Sequence, residues 1–205
     1  RASRTPLWVA FVDYKKAFDC INGEALWEVL ALRGVPEHLV HLVRDLYEGC
    51  EGQVVVQSCV SRPFSILTGV RQGCALSPLL FNVFIDHIFR TALPDHLIEA
   101  HGYPVSSEDT GQLHPPAHPK AHPNAKVHHL GPRLYADDSC LVASSKASLQ
   151  TLLECVERTS TAWGMTINYG KTKAMPIPPR SACSARTVRL RTRRSSPALM
   201  PAPLN

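Results

Sequence analysis

The chain has 205 residues, 44% of them hydrophobic, and a formal net charge of +5. That length can bury a sizeable core within one domain, while no apolar run approaches the roughly 20 residues that a membrane helix needs and no segment reads as a signal peptide. The seven cysteines are odd in number and never spaced C-x-x-C, so neither a zinc ribbon nor a disulfide framework is indicated. They read as small buried hydrophobes in a reducing, intracellular protein, nuclear or cytoplasmic. The first residue is Arg1 rather than Met, as expected of a fragment or a processed chain.

Leu7 to Val12 is a continuous apolar run that predicts a strand buried on both faces, with Asp13 at its C-terminal end. Ligand sites in α/β proteins gather at such strand ends. Asn22 is a candidate N-cap for a helix from Gly23 to Arg33, stopped by Gly34. Pro36 suits the first position of a second helix, whose predicted inner face is Leu39, Val40, Val43, Leu46 and Tyr47. Residues 53–59 and 63–67 read as two strands joined by a short polar turn. In the segment that follows, Gly69 and Gly73 bracket Arg71 and Gln72, so the backbone there can approach another molecule closely. Ser77 is the predicted cap of a strongly apolar helix from Leu79 to about Leu93.

Composition changes between residues 99 and 131, where histidines alternate with prolines. The prolines forbid the helix that the histidine spacing would suit, and the stretch reads as a solvated, disordered insertion. Arg133 to Tyr135 and Ser139 to Ala143 read as two strands, with Ala136, Asp137 and Asp138 as the tight connection. Ser148 is the predicted cap of a helix ending near Trp163, with Leu149, Leu152, Leu153 and Val156 inward. A short strand at 165–168, a turn through Lys171 and a strand at 174–177 follow. Residues 179–205, rich in Arg, Pro and Ser, read as a floppy tail, and their arginines suit a nucleic-acid partner.

Neighbouring carboxylates repel one another and each prefers water. Such a pair is either a polar turn or the ligand set of a hard divalent cation. An α+β arrangement, a split βαβ core with helices on one face of an antiparallel sheet, would set Asp13 beside Asp137 and Asp138. Three carboxylates at adjacent strand ends can hold two Mg²⁺ ions about 3.5–4 Å apart. Polymerases and nucleases share that device, and the carboxylates alone leave both open.

Four segments together resemble reverse transcriptases, most closely those of non-LTR (LINE-type) retrotransposons. They are Phe-Val-Asp-Tyr-Lys-Lys-Ala-Phe-Asp (11–19), Gly-Val-Arg-Gln-Gly-Cys-Ala-Leu-Ser-Pro (69–78), Tyr-Ala-Asp-Asp (135–138) and Gly-Met-Thr-Ile-Asn-Tyr-Gly-Lys-Thr (164–172). The resemblance implies a polymerase palm with part of the fingers over residues 1–178, interrupted by the 99–131 insertion. It implies RNA-directed DNA synthesis from a dNTP on an RNA template and DNA primer, with two Mg²⁺ or Mn²⁺ ions. Asp13 and Asp137 would be the main metal ligands and Asp138 would complete the triad, while the backbone carbonyl of Tyr14 could also reach a metal. Phe18 matches the family's steric gate beneath the incoming sugar. Gln72 and Gly73 would line the nucleotide and template pocket, and Lys171 would lie near the triphosphate and protonate the leaving pyrophosphate. Upstream fingers, thumb and endonuclease have no counterpart in these residues. The alternative expectation is therefore an inactive remnant that retains at most nucleic-acid binding.

Overall fold

The computed structural model describes residues 7–107, 113–114, 126–135 and 138–177. Four antiparallel strands form the central sheet: β1 (Leu7–Val12), β9 (Arg133–Tyr135), β10 (Asp138–Ala143) and β11 (Lys173–Ile177), in the order β11-β1-β10-β9. Helices α1 (Gly23–Leu32), α3 (Ser77–Ala92) and α5 (Lys146–Ala162) build the core with it. Alternation along each strand puts Ala10, Val12, Leu141, Ala143 and Ala174 on the helix side, all almost fully buried. The alanines leave room for the large side chains of α3, where Phe81, Phe84 and Phe89 are buried, and of α5, where Leu149 and Leu152 are.

Helices cover one face of this sheet, and the other face of β1 is buried only in part: there Val9 is 4% exposed and Phe11 50%. An unbroken apolar run does not show how far along a strand its second face is covered. Helix α2 (Glu37–Tyr47) departs from expectation in the same way. Of its predicted inner face only Val40 is buried, and Leu39 and Leu46 are exposed. It packs chiefly on α1, and Pro36 is its cap residue rather than its first helical residue.

The segment after α2 folds as β2 (Glu51–Gly52), β3 (Val55–Val56), β4 (Cys59–Val60) and β5 (Phe64–Ser65), with β3 paired to β4 and β2 to β5. The reversal falls at Gln57-Ser58, inside what the sequence predicts as one strand. Gln57 takes the positive φ (54°) that this tight turn demands. Two caps also move. Leu76 precedes α3, so Ser77 is its first residue, and its hydroxyl meets the Tyr47 hydroxyl at 3.0 Å. Ser145, not Ser148, caps α5, accepting the Ser148 N–H at 3.0 Å.

Part of the stretch predicted to be disordered is folded. After α4 (Asp95–His101), β6 (Tyr103–Ser107) pairs antiparallel with β7 (Leu113–His114) and with β8 (Lys126–Leu130), and Tyr103 and Val105 are buried. Long-range strand pairing supplies the backbone hydrogen bonds that local composition could not forecast. The rest of that stretch, the tail 179–205 and Asp137 lie outside the described residues.

Tyr14, just beyond β1, points its side chain into the core, and its hydroxyl meets that of the fully buried Ser160 on α5 at 2.8 Å. Burial pushes the phenol up from 10.0 to about 12, against a smaller opposing effect of the Ser160 hydrogen bond. A folded-state pKa raised above the unfolded value means stability that is complete below pH 10 and lost as pH rises to about 12. Tyr14→Phe is expected to flatten that alkaline decline. It should also cost about 1–2 kcal/mol at neutral pH, because Ser160 loses its buried partner. Denaturant melts at pH 7 and across the alkaline range check both effects.

Candidate active site

Asp13 leaves β1 where the sheet ends. Its backbone is held from both directions by the turn that precedes β11: the Asp13 N–H donates to Thr172 Oγ1 at 3.2 Å, and its carbonyl accepts from the Asn168 N–H at 2.7 Å. A bridge between Tyr14 and Ile167 extends this clamp. Neither Asn168 nor Thr172 was assigned a role from sequence, although both sit in the 164–172 motif.

On the other side of β1, the antiparallel register sets Val12 opposite Ser139. Asp13 follows Val12 and Asp138, exposed and paired with Tyr135, precedes Ser139, so both carboxylates lie just beyond that pair, at the same end of two adjacent strands. Asp137 belongs to the connection between β9 and β10.

Asp13 Oδ2 is buried and has no hydrogen-bond partner among the described residues, and the same holds for the hydroxyl of Ser139. An unsatisfied buried oxygen costs roughly 1–3 kcal/mol, and more when it carries charge. Two carboxylates at one end of adjacent strands, one with an unpartnered oxygen, are donors of the kind a hard divalent cation takes. Among the described residues no three His, Cys, Asp or Glu side chains converge as a metal cluster.

The residues after Asp13 form a turn in which Lys16 adopts a positive φ of 47°. The Phe18 ring, half-buried, stacks on Phe81 at 4.5 Å between centroids and 21° between planes. The glycine-bracketed segment docks on this turn. The Val70 N–H donates to the Phe18 carbonyl at 2.8 Å, the Thr68 hydroxyl to the Asp19 carbonyl at 3.1 Å, and Gln72 Nε2 to Asp19 Oδ1 at 3.0 Å. Gly69 has φ +91°, and a Cβ there would lie 2.8 Å from both the Phe18 carbonyl oxygen and the Asp19 Cα. Gly73 also has a positive φ (+85°), but a Cβ there would meet nothing within 4 Å.

Arg71, which sequence reasoning left without a role, anchors the segment from behind. Its guanidinium donates to the Leu46 carbonyl and to Cys50 Sγ, and lies 5.3 Å from the centroid of the Tyr47 ring. The N–H groups of Leu76 and Ser77 hold the Cys74 thiol below its usual range, with Arg71 as a lesser contributor. A cavity of about 470 Å³ opens behind the segment, with Asp19, Trp27, Tyr47 and Gln72 in its wall.

Of the residues expected at the site, Phe18, Gln72 and Gly73 therefore share one loop cluster. Tyr14 contributes only its backbone, since its side chain faces the core. Lys171 is exposed on the turn that clamps Asp13, its N–H donating to the Asn168 carbonyl at 3.1 Å.

An antiparallel sheet with helices on one face, a carboxylate at the end of its central strand and another at the adjacent hairpin, is the palm of a nucleic-acid polymerase. The family model for reverse transcriptase (RNA-dependent DNA polymerase) matches residues 1–189, and the chain belongs to that family. It is 29% identical over 164 residues to the Retrovirus-related Pol polyprotein from type-2 retrotransposable element R2DM of Drosophila melanogaster, covering 80% of this chain and 13% of that protein. It is 28% identical over 151 residues to the Pol polyprotein from type-1 retrotransposable element R2 of Nasonia vitripennis, covering 74% of this chain and 12% of that protein. The chain thus spans about an eighth of the length of these relatives. Among solved structures, telomerase from Candida tropicalis in complex with a fragment of telomeric RNA superposes with a TM-score of 0.57 at 16% identity, over 85% of this chain and 26% of that one. The fold is therefore that of the palm, as expected. No helix among the described residues is long and apolar enough to cross a membrane.

Proposed function

We propose that this site performs RNA-directed DNA synthesis, transferring a nucleotidyl group from a dNTP to the 3′-hydroxyl of a DNA primer paired with an RNA template. The observation that carries the reading is the buried Oδ2 of Asp13, without a hydrogen-bond partner among the described residues, at the same end of the sheet as Asp138. Asp13, Asp137 and Asp138 would hold two divalent ions, Mg²⁺ or Mn²⁺, with the Tyr14 carbonyl as a further oxygen. When bound, such ions lower the pKa of the attacking hydroxyl and stabilise charge on the leaving oxygen.

The chain's own groups do the rest. The Phe18 ring lies beneath the sugar and excludes a 2′-hydroxyl. Gln72, tied to Asp19, and Gly73 with its open left-handed backbone line the place for the base and template. Lys171, exposed on the turn that fixes Asp13, attracts the triphosphate and gives a proton to the leaving pyrophosphate. Residues 1–178 would be the palm and part of the fingers that carry this chemistry. The solved telomerase from Candida tropicalis is in complex with a fragment of telomeric RNA, which supports an RNA partner here.

Primer extension by the purified protein on an RNA template with Mg²⁺ tests the reading. Incorporation that depends on template, dNTP and metal is the expected result. No incorporation by the unmodified protein overturns it.

A further inference from the structure

Phe18 sits on a turn, not on a strand or helix. A ring that must discriminate between a hydrogen and a hydroxyl on a sugar needs its height fixed to a fraction of an ångström, and a turn alone does not provide that. The backbone just after the ring is pinned, since the Phe18 carbonyl is held by Val70 and that of Asp19 by Thr68. The ring itself rests on the stack with Phe81. Phe81 is 0% exposed, in the first turns of α3, with the core closed behind it. It cannot yield without repacking that core.

We propose that Phe81 is the positioning residue for sugar selection: it is the floor that sets the height of the Phe18 ring, and hence the exclusion of ribonucleotides. Phe81 does not touch the nucleotide and acts only through Phe18. The inference rests on the reading of Phe18 as the ring beneath the sugar. A smaller side chain at position 81 lets the Phe18 ring drop, opening room for a 2′-hydroxyl while the groups that bind the dNTP stay in place.

The test is the ratio of kcat/KM for dTTP to that for UTP in templated extension, read in the purified protein. Thermal-shift binding of the same two nucleotides supplies the ratio where turnover is slow. Phe18→Ala is expected to lower the ratio about a hundredfold, and Phe81→Leu about tenfold, with the dTTP value changed much less. The double variant should be no worse than Phe18→Ala alone, because the two rings act as one unit. Phe84→Leu is the control: Phe84 is equally buried on the same helix but packs edge-on against Trp163 at 6.0 Å. It should lower the melting temperature comparably and leave the ratio unchanged. Phe81→Met, which keeps an apolar side chain of adequate volume, reads the same effect if Phe81→Leu folds poorly.

If Phe18→Ala leaves the ratio intact, the reading of Phe18 fails. If Phe18→Ala relaxes it while Phe81→Leu and Phe81→Met do not, that reading survives and the floor proposal is overturned. A ratio lowered equally by Phe84→Leu also overturns it, since general loosening of α3 would then account for the effect.

Discussion

Asp13→Asn should abolish templated incorporation, by about a thousandfold or more, while leaving the metal-free protein as stable as before. The two halves of that result come from one atom. Oδ2 of Asp13 is buried and has no hydrogen-bond partner among the described residues, so replacing the carboxylate with an amide of the same size breaks no hydrogen bond of that atom in the metal-free fold. The carboxylate charge is what a divalent ion would use, and loss of a ligand from such a site removes several kcal/mol of transition-state stabilisation, at about 1.4 kcal/mol per tenfold in rate. Melting temperature against Mg²⁺ concentration provides the second readout. The unmodified protein should gain stability as metal rises, by linkage to binding, and Asp13→Asn should not. Full activity in Asp13→Asn would remove it from the site. Asp138→Asn, at an exposed position, should show the activity loss with no gain in metal-free stability.

Gly69→Ala is the second large expectation, and it concerns the fold and the site at once. The added Cβ would sit 2.8 Å from the Phe18 carbonyl oxygen and from the Asp19 Cα, at a φ of +91°. A left-handed backbone costs an ordinary residue roughly 1–2 kcal/mol, and the clash is with backbone that cannot rotate away. The loop must therefore lift from the 15–19 turn, breaking the Val70 and Gln72 hydrogen bonds described above. A total of about 3 kcal/mol or more is expected, a drop in melting temperature of roughly 6–12 °C for a domain of this size, together with a loss of sugar selection as Phe18 is released. Gly73→Ala is the matched comparison. Its φ of +85° carries the same conformational cost, but the space around it is open, so it should lose only about 1 kcal/mol. Equal melting temperatures for the two variants would show that the 69–72 segment is not docked on the turn.

Much of this was legible in the chain because it depends on neighbours a few residues away. β1, α1 with its Asn22 cap, α3 and the two strands flanking the Asp-Asp pair appear close to where period and turn residues put them, although Leu76 caps α3 in place of Ser77 and β10 already begins at Asp138. Asn22 accepts the Ala25 N–H at 3.1 Å as a cap should. What failed to read out depended on partners distant in sequence. The apolar stripe of α2 predicts a buried face, yet a stripe records only that a helix has one apolar side, not whether a neighbour covers it. The His/Pro stretch has the composition of a solvated loop, and β6 and β8 nonetheless pair across it from Tyr103↔Leu130 to Ser107↔Lys126. The alanines facing the helices look unremarkable in sequence and become meaningful only when α3 and α5 lie over them.

The candidate site divides in the same way. The sequence by itself determined which chemical groups are present: three carboxylates, an aromatic five residues after the first of them, a glycine-bracketed Gln and a late lysine, in an order that marks a reverse transcriptase. Local chemistry sufficed for that, because motifs are short and their spacing is covalent. Only the tertiary structure decided that Asp13 and Asp138 lie at the same end of adjacent strands, that Asn168 and Thr172 hold Asp13 in place, that Tyr14 turns its side chain away, and that Phe18 rests on Phe81. Each of those is a contact between segments far apart in the chain. Strand register and helix packing set them, and these are fixed by the global minimum of buried surface and paired backbone rather than by any one segment's preference.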